Sequence, residues 1–382
     1  MVNEFSVEKF TKLLDNNAIS LLAKLKSNDR PIVIFGAGRF GLTVFECLTC
    51  AGYTADYFCD NNPKMHGRMI LGRRVLNFDE LKNEHKDSLI LISTPGYCEE
   101  IKIQLDENGF RNAIIAGGVN DAYGAFEVSG LFYQSMLLNK RLFEETFDSL
   151  SDELSEHLFE DFISFWMTGN PKYLIPLISK DVQYFAPDII KLSDTEVFVD
   201  GGAWFGDTVD DFIKATKGQY RAVYSFEPDR KNIDSYLKRH SGKKNIDLIP
   251  MGLWGKKETL NLLPDFSDHS GNRLSDQSAG PDTYDVSVTS IDSELDGREV
   301  TFIKLDIEGS ELEALKGAEK TIKNFKPKLA VCVYHKPLDI VRIPMYLKSL
   351  VPEYNFSLRH YNDKFAEKKD NHTGTVLYAT IN

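Results

Sequence analysis

The stretch VFVDGGAWFGD, residues 197–207, decides the fold of the second half of this chain. Its apolar start predicts a strand, and the acid and glycines that follow predict a tight turn. Asp207 and Thr208 then begin a stretch with helical spacing. Such a turn lets the backbone approach a ligand closely, because glycine has no Cβ and tolerates a positive φ. We therefore predict a ligand-binding turn here.

A second carboxylate is placed to reach the same turn. Glu227 ends the next predicted strand, roughly 20 positions after Gly206, the spacing typical of nucleoside-binding units. At the carboxyl edge of a parallel sheet it can accept hydrogen bonds from both hydroxyls of a ribose. Asp229 is the better N-cap for the following helix, so we expect Glu227 to be free for a ligand.

The charge of the turn indicates its ligand. Asp200 and Asp207 would repel a pyrophosphate, because their carboxylates add negative charge where the phosphates would lie. S-adenosylmethionine has a sulfonium, an ammonium and a ribose diol but no phosphate. These residues therefore favour the methyl donor over NAD.

Three further candidates follow later strands. Asp306 and Glu308 end one predicted strand and His335 ends the next, so we expect all three in the crevice of Glu227. Methyl transfer to a hydroxyl gains from a base. We predict His335 or Asp306 in that role, with Glu308 beside them and His360 as a weaker candidate. Asp306 and Glu308 could instead hold a divalent ion, but the sequence has no compact metal motif, and we assign no metal ligands.

The end of the chain decides the type of sheet. Strands predicted at 356–361 and 375–381 are separated by a polar loop too short for a helical crossover, so they must pair antiparallel. We predict an α/β protein with two Rossmann-like parallel-sheet domains. The second would be a seven-stranded methyltransferase fold with an antiparallel last strand, an architecture that dinucleotide dehydrogenases lack.

Residues from about 190 to 382 resemble the FkbM family of S-adenosylmethionine-dependent methyltransferases. The matching pieces are VFVDGGAWFGD, SFEPD, FIKLDIEGSELEALKGAEKTI and the tail from YHKP to TVLYA. The resemblance implies that Glu227 binds the ribose diol and that Asp306 faces the methyl-transfer centre. The residues that it places on the methionine and ribose side are Asp200, Gly201, Gly202 and Gly206.

The first half contains a second glycine turn. In PIVIFGAGRFG a predicted strand leads into Gly36, Gly38 and Gly41, and Asp60 ends the next predicted strand about 20 positions later. This pattern predicts a second nucleotide site, or a half-fold that has kept its shape and lost its ligand. With the pair Asp60–Asn61, it resembles the sugar-nucleotide-binding Rossmann-like module found at the N-terminus of some sugar acyltransferases and fused to some methyltransferases.

We predict three segments: a Rossmann-like nucleotide-binding domain at 1–125, a helical connector at 126–190 and the methyltransferase domain at 191–382. Apolar residues spaced by three or four in the connector predict a helix pair or one long helix, used for core packing or as a lid. The polar stretch 265–281 is expected to be a loop or lid.

Composition limits the partners. The chain of 382 residues has a net charge of −12, which disfavours nucleic acid. No apolar run reaches the roughly 20 residues of a membrane span, and the start has no signal-peptide pattern, so we expect a cytoplasmic protein. The five cysteines favour buried thiols, and we assign neither zinc nor redox chemistry to Cys47 and Cys50.

These patterns together predict an S-adenosylmethionine-dependent methyltransferase. The expected acceptor is a hydroxyl of a sugar, a glycan or another small molecule, and the sugar is suggested by the first half. One alternative is an NAD-dependent oxidoreductase or epimerase acting through the GxGxxG turn, although we find no Tyr–Lys pair for hydride transfer. Another is a non-catalytic module that binds a sugar nucleotide.

Overall fold

Two largely parallel sheets organise the computed structural model of this chain. The structure describes residues 5–94, 96–116, 118–120, 125–127, 129–263, 273–275, 284–362 and 374–381. None of the helices within these ranges combines the length and the hydropathy that crossing a bilayer requires.

The first sheet has six strands in the order β3-β4-β2-β1-β5-β6. Its elements, after a 3₁₀ helix at Val7–Leu13, are α1 (Asn16–Ser27), β1 (Ile32–Phe35), α2 (Arg39–Cys50), β2 (Tyr57–Cys59), β3 (Met69–Ile70), β4 (Arg73–Leu76), α3 (Phe78–Glu84), β5 (Leu89–Ile92), α4 (Cys98–Glu107) and β6 (Ala113–Ile115). Only β3 and β4 pair antiparallel. Every residue of β1 and β5 is buried, as expected for central parallel strands with helices on both faces. A short hairpin of β7 (Gly118–Asn120) and β8 (Ala125–Glu127) follows.

The connector contains three α-helices in its described part, rather than a pair or one long helix. They are α5 (Ser129–Leu138), α6 (Lys140–Asp148) and α7 (Glu153–Thr168), followed by 3₁₀ turns at Pro171–Tyr173 and Ile175–Leu177. Asp152 starts α7 by accepting a hydrogen bond from the backbone N–H of Ser155, which sets this helix apart from α6. The hydroxyl of Ser155 accepts a hydrogen bond from Leu358 N at 2.8 Å. The connector therefore packs onto the second half of the chain.

The second sheet has seven strands in the order β11-β10-β9-β16-β17-β19-β18. The elements of this half are β9 (Val197–Gly201), α8 (Asp207–Ala215), β10 (Ala222–Phe226), α9 (Arg230–Arg239), β11 (Ile246–Ile249), β12 (Gly252–Leu253), β13 (Glu258–Leu263), β14 (Arg273–Ser275), β15 (Tyr284–Thr289), α10 (Ile291–Leu295), β16 (Phe302–Leu305), α11 (Glu311–Lys316), α12 (Glu319–Phe325), β17 (Lys328–Cys332), α13 (Asp339–Leu350), β18 (Asn355–His360) and β19 (Thr375–Thr380). β19 runs antiparallel to both β17 and β18. The predicted antiparallel end of a seven-stranded sheet is thereby confirmed.

Two details of this half concern single elements. The segment after β16 forms two helices, α11 and α12, because Asp292 accepts hydrogen bonds from the backbone N–H groups of Lys320 and Thr321 and so caps a new first turn. The strand β11 ends at Ile249, and β12 joins a small separate sheet of order β12-β15-β13-β14. Apart from β14, the predicted loop or lid at 265–281 lies outside the described residues.

The two halves share apolar packing. The largest hydrophobic cluster joins Phe58 of the first sheet, Phe159 of the connector and Leu358 of the second sheet. All five cysteines are free thiols, and Cys47, Cys59 and Cys332 are buried, as predicted for most of them. The segment boundaries near 125 and 190 stay predictions.

Candidate active site

The glycine turn joins β9 to α8 at the carboxyl edge of the seven-stranded sheet. Gly202 has φ of 75°, and a Cβ at this position would lie 1.9 Å from the carbonyl oxygen of Asp306. Gly206 has φ of 87°, and a Cβ there would lie 2.2 Å from Nε2 of His240. Both positions therefore require glycine because neighbouring protein atoms approach closely, whereas the sequence alone suggested approach to a ligand.

Beneath the turn lies a buried ion pair. Asp200 Oδ1 is 3.0 Å from Lys304 Nζ, and both side chains are almost fully buried. Lys304 also donates hydrogen bonds to the carbonyl oxygens of Gly201 at 3.0 Å and Gly202 at 2.8 Å. Burial raises the pKa of Asp200 to about 6, although Lys304 acts in the opposite direction. Asp200 thus supports the turn through Lys304.

Glu227 lies at the end of β10, against the turn. One carboxylate oxygen accepts a hydrogen bond from Trp204 N at 2.9 Å, and the other accepts from Asp229 N at 2.9 Å and Asn232 Nδ2 at 3.2 Å. The protein therefore holds both carboxylate oxygens of Glu227, and its role in binding a ligand stays a prediction. Asp229 does cap α9, as predicted, by accepting from Lys231 N. Burial raises the pKa of Glu227 to about 7.

Asp306 lies on the opposite side of the turn from Glu227, at the end of β16. Its backbone N–H donates to the carbonyl of Gly201, whereas the N–H of Gly202 donates to Phe226 beside Glu227. The Tyr184 hydroxyl donates to Asp306 Oδ2 at 2.6 Å, and the Tyr334 hydroxyl lies 3.3 Å from Oδ1. Burial would raise the pKa of Asp306, but His335 and Lys304 outweigh it and lower this pKa, so the carboxylate is ionised at neutral pH.

His335 faces three carboxylates. Its Nδ1 lies 2.9 Å from Glu311 Oε1, and its Nε2 lies 3.5 Å from Asp306 Oδ1 and 3.6 Å from Glu308 Oε2. Burial would lower the pKa of His335, but Glu311 and Glu308 outweigh it and raise this pKa to about 9. This shift favours the protonated form of His335 at neutral pH, and its role as a general base stays a prediction.

Two other predicted residues, Asp207 and His360, have different surroundings. Asp207 begins α8 and lines a cleft of about 480 Å³ together with Arg239 and Tyr361. His360 is fully buried in β18, where its Nδ1 lies 2.8 Å from Thr375 Oγ1. The strand β19 separates it from β17, which leads to His335. We therefore discard His360 as a candidate base.

Asp60 holds the glycine turn in the first half of the chain by hydrogen bonds. The segment with Gly36, Gly38 and Gly41 joins β1 to α2, as predicted. Asp60 Oδ2 accepts a hydrogen bond from Ala37 N at 2.8 Å, and its Oδ1 accepts from Asn62 N at 2.8 Å. Asp60 therefore has a structural role in this turn. Its role in a second nucleotide site stays a prediction.

The sequence did not reveal three residues of the candidate site at the seven-stranded sheet. Lys304 carried a signal, because a lysine inside the apolar strand FIKL needs a buried partner. Glu311 carried a weaker signal, since it follows the DIEG segment closely. Tyr184 carried none, because it comes from the connector, 122 positions before the carboxylate that it contacts.

Residues 200–358 match the family model described as the methyltransferase FkbM domain. This match indicates a methyltransferase. The matched range includes Asp200, Glu227, Asp306 and His335. Over nearly its whole length, the chain is also similar in fold to methyltransferase FkbM from Methylobacillus flagellatus KT. That similarity covers 98% of this chain and 97% of the other, with 24% identity and a TM-score of 0.57.

More distant likenesses cover about half of this chain. An rRNA methylase from Streptococcus thermophilus is 16% identical, with a TM-score of 0.30 over 50% of this chain and 90% of the other. SMU.1697c, a putative methyltransferase from Streptococcus mutans solved with SAH, is 11% identical, with a TM-score of 0.29 over 51% of this chain and 93% of the other. No protein of curated function matches the sequence.

Proposed function

We propose that this methyltransferase uses S-adenosylmethionine to methylate a hydroxyl of a sugar, a glycan or another small molecule. The observation that carries the proposal is the charge at the carboxyl edge of the seven-stranded sheet. Glu227 and Asp306 flank the glycine turn there, and Glu308 lies beside Asp306. Lys304 forms an ion pair with Asp200 and donates hydrogen bonds to two carbonyl oxygens. This edge suits a cationic donor better than a pyrophosphate.

The residues around the turn fit the donor by their chemistry. Glu227 accepts three hydrogen bonds from the protein, which leaves lone pairs on its oxygens for the hydroxyls of a ribose. Asp306 and Glu308 supply negative charge for the cationic end of the donor. When bound, the donor supplies a methyl group activated by a sulfonium, so the protein mainly has to align it with the acceptor.

The acceptor hydroxyl also has to lose its proton during the transfer. The acceptor oxygen forms a bond to the methyl carbon while the carbon–sulfur bond breaks. The electron pair of the broken bond stays on sulfur. Because the raised pKa of His335 favours its protonated form at neutral pH, we assign the hydroxyl proton to the ionised carboxylate of Asp306. His335 then acts as a positioning residue, 3.5 Å from Asp306.

The acceptor class rests on the first half of the chain. The strand–glycine turn–helix unit at Gly36 to Gly41, with Asp60 at the next strand, supports a sugar or sugar nucleotide as the recognised group. A nucleotide-linked sugar would be bound there, while methylation takes place at the second sheet.

The proposal is tested by calorimetric titration of the chain with S-adenosylmethionine, NAD and a UDP-sugar. Glu227→Gln keeps the shape of the side chain but removes its charge, so we expect donor affinity to fall by about 10- to 100-fold, the weight of hydrogen bonds to a charged group. Glu299→Gln is the matched control, because Glu299 is exposed and precedes β16 at the opposite edge of the sheet. Binding of NAD alone, or donor binding that is equal in Glu227→Gln, would contradict the proposal.

A further inference from the structure

Three side chains that commonly ligate metals converge beside the glycine turn. Asp306, Glu308 and His335 each offer one ligand atom, and these atoms all lie within 4.8 Å of one another. From this convergence we propose that the cluster binds a divalent cation of the Mn²⁺ or Mg²⁺ type. The inference deepens the proposed function, on which its catalytic meaning rests.

The distances suit a shared ion. His335 Nε2 is 3.5 Å from Asp306 Oδ1 and 3.6 Å from Glu308 Oε2. Oxygen and nitrogen ligands lie about 2.1 Å from such an ion, so two neighbouring ligands are roughly 3.0–3.5 Å apart. The two separations from His335 Nε2 are therefore close to this spacing, and all three ligand atoms lie within 4.8 Å of one another.

The buried side chain of His335 distinguishes this cluster from a group of surface acids. Its side chain is 3% exposed, and among the described residues neither Nδ1 nor Nε2 has a hydrogen-bond partner. Its Nδ1 lies 2.9 Å from the buried carboxylate of Glu311, which directs Nε2 toward Asp306 and Glu308. A carboxylate that orients a histidine through its other nitrogen is typical of metal-binding histidines.

Asp306 is supported in a similar way. The Tyr184 hydroxyl holds Oδ2 at 2.6 Å, so Oδ1 is the oxygen that faces His335. The Tyr334 hydroxyl lies 3.3 Å from that same Oδ1, at the edge of the cluster. Ligating carboxylates in metal sites are themselves hydrogen-bonded in this manner.

The balance of charge also favours a cation. The carboxylates of Asp306, Glu308 and Glu311 meet at one imidazole. Of the two lysines close by, Lys304 forms its ion pair with Asp200 and acts on Asp306 only through space, and Lys336 interacts with Asp339. A divalent ion reduces the repulsion among the three carboxylates and still leaves one net negative charge for the cationic donor.

A cation at this position has a specific use in the proposed reaction. Asp306 would then accept the proton from an acceptor hydroxyl that the ion also holds. An oxygen bound to a divalent ion loses its proton more easily. An acceptor with two neighbouring oxygens, such as a sugar diol, would bind the ion through both.

The test is a titration of the donor-free chain with MnCl₂, followed by the electron paramagnetic resonance signal of free Mn²⁺. It is run at pH 8, because protons compete with metal for imidazole. We expect one Mn²⁺ per chain and a loss of affinity of about tenfold or more in Glu308→Gln and His335→Gln. Glu313→Gln is the control, because Glu313 lies on α11 and pairs with the exposed Lys316.

Glu308→Gln is the decisive variant, since that side chain is 27% exposed and its replacement keeps the same size. Circular dichroism checks that His335→Gln folds. No Mn²⁺ binding up to millimolar concentration, or equal binding by Glu308→Gln, overturns the cation site. A parallel titration with S-adenosylmethionine separates the two proposals: donor binding without Mn²⁺ binding removes only the cation, and Mn²⁺ binding without donor binding removes only the methyl donor.

Discussion

Lys304 Nζ lies 3.0 Å from Asp200 Oδ1 in the interior of the seven-stranded sheet, and both side chains are at most 2% exposed. The same ammonium donates hydrogen bonds to the carbonyl oxygens of Gly201 and Gly202. One buried lysine therefore connects β16, β9 and the glycine turn. The ion pair and the glycines therefore both support the turn.

Replacing Lys304 alone should destabilise the fold strongly. Lys304→Met leaves Asp200 buried without its partner, and breaking a buried ion pair in this way costs about 3–5 kcal/mol. Lys304→Met combined with Asp200→Asn removes both charges and should recover most of that loss. Urea unfolding of the wild type, the single variant and the double variant measures both effects. A loss below about 1 kcal/mol in the single variant would show that the pair does not support the turn.

Gly202→Ala should be far more costly than the same change at Gly218. Both glycines have a positive φ, 75° and 77°, so both substitutions carry a left-handed backbone cost of about 1–2 kcal/mol. Only at Gly202 does the new Cβ collide with the backbone of Asp306, whereas nothing lies within 4 Å at Gly218. We expect an additional loss of several kcal/mol for Gly202→Ala in urea unfolding. Equal losses at the two positions would refute the close approach described here.

Glu227 should make stability depend on pH. Its pKa is raised from 4.5 to about 7 in the folded chain, mainly by burial. An acid whose folded pKa lies above its unfolded value favours folding most below the unfolded pKa, and this advantage is lost as pH rises from about 4.5 through 7. The loss is on the order of 3 kcal/mol.

The measurement is the difference in unfolding free energy between the wild type and Glu227→Gln at pH 5, 6, 7 and 8. The glutamine cannot titrate, so the stability of the wild type relative to this variant should fall across that range. A difference that stays constant with pH would mean that the Glu227 carboxyl titrates at its ordinary value.

Tyr184→Phe should reduce methyl transfer more than it reduces stability. The change removes the hydroxyl that donates to Asp306 at 2.6 Å but keeps the ring. Loss of one such bond costs about 1 kcal/mol of stability. We expect kcat to fall roughly tenfold, as for a misplaced catalytic group, with the KM for the donor unchanged.

Tyr354→Phe is the matched control for that experiment. The Tyr354 hydroxyl is buried and donates to the carbonyl of Pro327 at 2.7 Å, at the start of β17, so its loss should cost similar stability and leave kcat unchanged. If both tyrosine variants lower kcat equally, the effect of Tyr184 is one of general stability.

The sequence by itself determined the two strand–glycine turn–helix units and the antiparallel pairing of β18 with β19, but not the number of helices in the connector. These features follow from local causes: apolar periodicity, turn residues and the length of the loop that joins two strands. For the same reason, the positions of Glu227, Asp306 and His335 at strand ends were predictable, since the end of a parallel strand defines one edge of the sheet.

Only the tertiary structure decided what these side chains contact. Tyr184 reaches Asp306 from 122 positions away, and Asp200 meets Lys304 across neighbouring strands. Glu311 and Glu308 raise the pKa of His335 against the effect of its burial, because carboxylates from other parts of the chain surround this imidazole. Contacts between residues distant in the chain depend on how whole elements pack, and pKa values depend on the burial and the charges that this packing creates.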